Sequence, residues 1–223
     1  MSMKPKKELE QYHTIGSIEV GLDEAGRGCL FGPVCVAGVI WPKKDPENSM
    51  VIKDSKKCTE KYRQKLFDYI KENAISYSIN MLDHEEIDRE NILKCSIKGM
   101  HLCLNEITNN HSIDMILVDG NHFKNYYCSN IDDFIEHKCI IKGDNTYKSI
   151  AAASILAKTY RDNYMIQLVK ENPELLKYSI EKNKGYGTKK HMEAIKEYGV
   201  TKWHRKSFAP CMEVHQTEVN QTK

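Results

Sequence analysis

The segment from Lys148 to Val169 restricts the fold more than any other part of the chain. Ala151, Ala152, Ala153 and Ala157, interleaved with Ile and Leu, favour a helix, and side chains that small let it pack closely on a sheet. The strands for that sheet are legible upstream. Ile15 to Leu22 reads as an apolar strand that ends in Asp23-Glu24-Ala25-Gly26-Arg27-Gly28, where two glycines break regular structure. Val34 to Trp41 reads as a second strand, and the short link predicts an antiparallel hairpin. Ile75 to Met81 alternates like a strand; Met115 to Val118 and Cys139 to Ile141 are short buried strands that stop at Asp119-Gly120 and near Gly143-Asp144. Tyr62 to Asn73 and Asp83 to Ile107 carry helix-like patterns. This alternation predicts a mixed α/β sheet with helices on both faces.

A chain of 223 residues, set against ~150 for a typical domain, suits one domain with an appendage. The expected division is an N-terminal tail (1–14), a catalytic domain (15–170), a helical extension (171–213) and a polar, frayed tail from Val214 to Lys223. The formal charge is only +2, so nucleic-acid binding requires a local patch. Lys182, Lys184, Lys189, Lys190, Lys202, Arg205 and Lys206 make the C-terminal part locally basic. The longest apolar runs, Val34 to Trp41 and Ile150 to Leu156, fall far short of the ~20 residues that span a bilayer. Met1 to Gln11 has no apolar core of a signal peptide, so a cytoplasmic protein with no membrane partner is expected. Eight scattered cysteines without a CxxC read as reduced thiols acting as small hydrophobes.

The chemistry lies in acids placed where apolar strands end: Asp23 and Glu24 after the first, Asp119 after Val118, and Asp144 after Gly143. Ligands of α/β sheets bind at strand ends. Four carboxylates converging there would repel one another, and a divalent cation resolves the conflict. Oxygen-only ligands select Mg²⁺ or Mn²⁺, which usually share such a site with substrate phosphates. Taken singly, Asp119 and Asp144 could equally be turn or cap residues. Adjacent acids on a strand alternate faces, so bringing Asp23 and Glu24 to one site needs the backbone irregularity that Gly26 and Gly28 could supply. Asp162, about 16 residues into the Ala-rich helix and so ~24 Å from its start, is read as a surface or structurally paired acid. The glycines do not make a GxGxxG fingerprint, because a strand follows them. His122, His137, His191 and His204 show no zinc-ligand spacing.

Several motifs in order, together, resemble bacterial ribonuclease HII over residues 15 to 210. They are Asp23-Glu24-Ala25-Gly26-Arg27-Gly28 with Gly32-Pro33; Asp54-Ser55-Lys56-Lys57; Val118-Asp119-Gly120; Lys142-Gly143-Asp144; Ser149 to Lys158 through Arg161-Asp162; Lys184-Gly185-Tyr186-Gly187-Thr188 with His191; and His204-Arg205 with Ser207-Phe208. The resemblance implies a ribonuclease H-like fold, a mixed five-stranded sheet flanked by helices with a C-terminal helical extension. It implies an endonuclease that hydrolyses RNA in RNA–DNA hybrids and cuts 5′ to ribonucleotides embedded in duplex DNA, leaving a 3′-OH and a 5′-phosphate. By the family pattern Asp23, Glu24, Asp119 and Asp144 bind two ions, Mn²⁺ or Mg²⁺. Gly26, Arg27 and Gly28 map to the turn that senses the ribose 2′-OH, and Tyr186 to the residue that packs on the junction sugar. Lys56 and Lys57 are candidates for backbone phosphates.

Two neighbouring readings remain: a ribonuclease HIII-like enzyme, which the ~14 residues before the first strand argue against, and a catalytically silent hybrid-binding protein, which the presence of all four acids argues against. The tail lacks paired aromatics for a sliding-clamp peptide, so a monomer with no obligate protein partner is expected.

Overall fold

The computed structural model describes residues 8–47 and 49–221, with side chains to residue 217. Its sheet has six strands in the order β3-β2-β1-β4-β6-β5. β1 (Glu19–Ala25) and β2 (Val34–Ile40) form the expected antiparallel hairpin, and β3 (Ser76–Leu82) pairs antiparallel with β2. β4 (Met115–Asp119) lies parallel to β1, and β6 (Asp133–Ile140) parallel to β4. The sixth strand, β5 (Tyr126–Cys128), pairs antiparallel at the edge and corrects the expectation of five. Three residues are too few to show a period of two, and β6 exposes Asp133, Phe134, Glu136 and Lys138, so only its last residues read as apolar.

Helices cover both faces. α1 (Glu60–Asn73), capped by Thr59 Oγ1 accepting from Tyr62 N–H, lies with α4 (Lys148–Glu171) on the side of Cys35, Ala37 and Val39. On the other side α3 (Ile92–Thr108) packs on Val20, Leu22, Val36 and Ile116. The segment from Asp83 to Ile107 is not one helix: α2 (His84–Glu90) ends at Asn91, whose φ of +74° breaks the chain before α3 while its side chain accepts from Lys94 N–H. β1 starts later than its apolar pattern suggests, because Ile15 is 85% exposed and only from Glu19 does the chain enter the sheet.

α4 lies against β1 at main-chain distance. A Cβ on Gly21 would stand 2.3 Å from the carbonyl carbon of Ser149, so only glycine admits the helix there. That approach brings Ser154 to Asp23. Beyond α4 follow a 3₁₀ turn (Pro173–Tyr178), α5 (Ile180–Asn183), α6 (Lys189–Tyr198) and α7 (Ala209–Gln221). The tail from Val214 is therefore helical, not frayed. Cys211 is buried and Val214, one turn on, packs on the same cluster as Phe31, Tyr178 and Ile195. Residues 222 and 223 of that tail, and 1–7 of the N-terminal one, lie outside the described residues. Seven free cysteines are buried and Cys139 is exposed. Among the described residues no helix is long and apolar enough to cross a membrane.

Candidate active site

β1, β4 and β6 run parallel, so their carboxyl ends share one rim of the sheet. Asp119 is the last residue of β4, and Asp144 lies in a 3₁₀ turn (Gly143–Asn145) just after β6. Asp23 and Glu24 do not follow β1 but lie inside it, paired across with Ala37 and Val36. The ladder to β2 runs unbroken through Ala25, so no irregularity at Gly26 redirects Glu24. What frees the two acids is the other edge, where pairing with β4 stops at Leu22 opposite Val118.

Each acid has a local partner. Asp23, buried, accepts from the N–H of Glu24 at 2.7 Å and is hydrogen-bonded by Ser154, which in turn meets Ser55 at 3.0 Å. Glu24 takes Arg27 Nη1 at 3.3 Å. Asp119 Oδ1 accepts from Gly143 N–H at 2.7 Å, and Asp144 Oδ1 from Asn145 Nδ2 at 2.9 Å. Among the described residues no three acids, histidines or cysteines form a ready-made metal cage. The four are nonetheless one electrostatic unit. Burial, then the charges of Glu24 and Asp119, holds Asp23 well above the usual carboxylate range. Burial raises Glu24, with Arg27 pulling it back, and burial with Asp144 raises Asp119. A site short of positive charge and rich in carboxylate oxygen is the donor set a hard divalent cation takes.

Lys56 and Lys57 part company. The charge of Lys56 acts on Glu24 and Asp119, whereas Lys57 is tied to Asp54 at 3.4 Å and to Asn145 Oδ1. Asp54, which the reading of the sequence did not assign, accepts from Lys56 N–H and Asn145 Nδ2; burial opposes its ionisation, yet these bonds and Lys57 hold it below the ordinary value. It thereby anchors the lysine turn to the turn that carries Asp144. Its sequence signal was its place at the head of the Asp54-Ser55-Lys56-Lys57 motif.

On the other side of Asp23, the Gly26–Gly28 turn meets the loop of Tyr186: Cys29 and Tyr186 form a β-bridge. The Tyr186 ring is 38% exposed, with Lys158 Nζ 5.1 Å from its centroid and Arg161 at 5.9 Å. Burial, then Cys29, pushes its hydroxyl up to about 12, so it stays protonated. The tyrosine carbonyl ends a wire of histidines. Thr201 N–H donates to His204 Nδ1 at 2.9 Å, which leaves the proton on Nε2; that nitrogen meets His191 Nε2 at 3.2 Å, and His191 Nδ1 donates to Tyr186 O at 2.9 Å. Both rings are buried and neutral, burial pushing His204 down to about 3. Asp162 is a buried partner of Arg63 at 2.9 Å and Lys158 at 2.8 Å. His122 is exposed, and His137 packs at a tilt against Phe123.

Residues 20–211 match the family model of Ribonuclease HII. The chain belongs to the ribonuclease HII family. It is 50% identical over 188 residues to the Ribonuclease HII of Christiangramia forsetii, covering 84% of this chain and 88% of that one. It is 47% identical over 191 residues to that of Bacteroides thetaiotaomicron, covering 86% and 89%. As a ribonuclease HII relative it is a ribonuclease H endonuclease acting on RNA, which settles that the fold carries an enzyme. Among solved structures, ribonuclease H2 from Pyrococcus horikoshii OT3 superposes with a TM-score of 0.71 at 23% identity, over 89% of this chain and 97% of that one, sharing the fold. The PCNA:RNase HII complex from Archaeoglobus fulgidus gives 0.64 at 25% identity, over 84% and 92%. Bst-RNase HIII in complex with Mn²⁺ gives 0.66 at 21%, over 92% and 71%.

Proposed function

We propose that this enzyme hydrolyses RNA in RNA–DNA hybrids and cuts duplex DNA on the 5′ side of an embedded ribonucleotide, leaving a 3′-OH and a 5′-phosphate. The observation that carries the reading is the electrostatic unit of Asp23, Glu24, Asp119 and Asp144 at the rim of three parallel strands, in a chain of this family. These four would hold Mn²⁺ or Mg²⁺, two ions in the catalytic complex. When bound, such ions activate water for in-line attack on a phosphodiester and stabilise the leaving oxygen.

The chain's own residues do the rest. Ser154 and the Glu24 N–H orient the Asp23 carboxylate, and the Gly143 N–H orients Asp119. Lys56, exposed beside the acids, draws in a backbone phosphate, while Lys57 holds the Asp144 turn through Asn145 and contributes to phosphate binding with it. The 2′-OH is the one group that separates a ribonucleotide from its neighbours. The turn of Gly26, Arg27 and Gly28 senses it, and the free face of Tyr186 packs on the sugar at the junction. No obligate protein partner is part of this reading, and the active unit is a monomer working in the cytoplasm.

The test is to incubate the enzyme, with and without Mn²⁺, with duplex DNA carrying one ribonucleotide and to map the products, alongside Tyr186→Ala and Tyr186→Phe. A Mn²⁺-dependent cut 5′ to the ribonucleotide, a loss of ~10²-fold in Tyr186→Ala and a milder one in Tyr186→Phe are expected, because a contact misplaced by ~1 Å costs that much. Cleavage without added metal after EDTA treatment, or equal turnover by all three proteins, overturns the metal or the tyrosine assignment respectively.

A further inference from the structure

The opening turn and the Tyr186 loop come from opposite ends of the chain and are stitched side by side. Leu30 N–H donates to Gly185 O at 2.9 Å, Arg205 N–H to Leu30 O at 2.8 Å, and Gly32 N–H to Trp203 O at 2.9 Å. Beneath these bonds lies Arg161, wholly buried. Its guanidinium donates to Pro33 O at 2.8 Å and Phe31 O at 3.0 Å on the opening segment, and to Lys184 O at 2.7 Å on the tyrosine loop. Arg205, also wholly buried, donates to Gly32 O at 2.9 Å and Arg27 O at 3.0 Å. Among the described residues neither forms an ion pair with a carboxylate. Arg161 and Arg205 also lie against the Tyr186 and Phe208 rings, and among those residues Arg205 Nη2 has no hydrogen-bond partner. Burying a cation with no carboxylate in contact is expensive, and stability is a poor reason to do it twice.

Two glycines make the seat. A Cβ on Gly26 would stand 2.0 Å from Arg161 Nε, and one on Gly185 would stand 2.7 Å from Phe31 O and 3.4 Å from Arg161 Nη2. Gly28 differs, since a Cβ there would meet nothing within 4 Å. The first two glycines face the arginine, and the third faces open space on the substrate side.

Resting on the substrate contacts proposed above, we infer that Arg161 and Arg205 are positioning residues that hold the 2′-OH-sensing turn and the Tyr186 ring at a set spacing. On this reading Gly26 acts by seating Arg161 and leaves the ribose to Gly28. Two contacts on neighbouring parts of one nucleotide work together only if their separation is held to a fraction of an ångström. A planar fork with donors in fixed directions can bind three carbonyls at once, which the single ammonium of lysine cannot do in the same geometry. Arg161 also lies against the tyrosine ring itself.

The test uses Arg161→Lys and Arg205→Lys in the full chain, each alone and combined with Tyr186→Ala, on duplex DNA with one ribonucleotide. Measurements are kcat and KM separately, the position of the cut, Mn²⁺ affinity by calorimetry and Tm by circular dichroism. Arg161→Lys is expected to keep its Mn²⁺ affinity, to lose ~30- to 100-fold in kcat, and to displace part of the cuts from the 5′ side of the ribonucleotide. In the Tyr186→Ala background the same substitution should cost less than about twofold, because both changes disable one device. A purely structural role lowers Tm without moving the cut and without this non-additivity. Wild-type kcat and cut position in folded Arg161→Lys, or losses that multiply in full with Tyr186→Ala, overturn the inference. Should Arg161→Lys not fold, Arg205→Lys decides by the same criteria. Failure of the underlying reading looks different: Tyr186→Ala and Gly28→Ala alone would then cut the single ribonucleotide normally, which overturns both.

Discussion

The two halves of α4 handle buried charge in opposite ways. Near its start, Ser154 meets Asp23 in a cluster of like charges in which burial and mutual repulsion raise three carboxylates. Two turns further on, Asp162 is neutralised by Arg63 and Lys158, and Arg161 spends its donors on three carbonyls. The first region keeps its like charges in conflict, whereas in the second the charges are paired or seated on carbonyls, with Arg63 Nε left without a hydrogen-bond partner among the described residues. On the proposed reading, the conflict of charge is where a cation and a phosphate would be received, and the satisfied charges form the frame that would keep the receiving surfaces in register. Removing a charge should therefore disable the first region without unfolding it, and unfold the second.

The largest effect expected is at Asp23. Asp23→Asn should lose at least ~10³-fold in turnover, since an amide forfeits both a ligand oxygen and its charge, while the melting temperature in EDTA holds or rises. Near-wild-type turnover of the folded variant at saturating Mn²⁺ would erase the contrast. Asp162→Asn should instead destabilise by ~3 kcal/mol, because Arg63 and Lys158 lose the anion they share in a buried setting. Chemical denaturation measures this, and a change below ~1 kcal/mol would mean that the pair is surface-like.

A smaller effect sharpens the comparison from the acid side. Asp119→Asn relieves repulsion and should melt a few degrees above wild type in EDTA, about 1 kcal/mol, and gain less from added Mg²⁺. A lower melting point with an unchanged Mg²⁺ response would make Asp119 a plain turn acid. The titration of the histidine wire acts only in acid and leaves stability at neutral pH unchanged. His204 and His191 have folded pKa values below the ordinary 6.5, His204 at about 3, so the unfolded chain takes up protons first as pH falls. Their stability contribution is complete above about pH 6.5 and is lost as pH falls, toward about 3 for His204, by up to ~1.4 kcal/mol per pH unit per proton. His204→Asn should flatten the fall in Tm between pH 7 and 4; an unchanged slope would show that these rings titrate normally.

Much of the architecture was legible because it rests on local periodicity. The alanine-rich run announced α4, the paired apolar runs announced the β1–β2 hairpin, and acids standing directly after apolar segments drew attention to the rim of the sheet. Elements without a period escaped: β5 has three residues, the first half of β6 is half polar, and Asn91 splits two helices by a backbone angle that no hydrophobic pattern records. α7 read as a frayed tail because its apolar face is reduced to Cys211 and Val214 against a largely polar background.

The amino-acid sequence alone determined the family, the mixed sheet under helices, and the acids and tyrosine that mark the candidate site, because each is carried by neighbours in the chain or by a short motif. Tertiary structure decided where the charges are spent. Asp23 and Glu24 lie within β1 rather than after it, Lys57 is tied down while Lys56 is not, Gly26 makes room for Arg161, and His204 reaches the Tyr186 carbonyl through His191. Each of these depends on which main-chain or ring atoms meet across more than a single element. A one-dimensional pattern reports which face of a helix or strand is apolar, and carries no information about which distant carbonyl a buried guanidinium will find there.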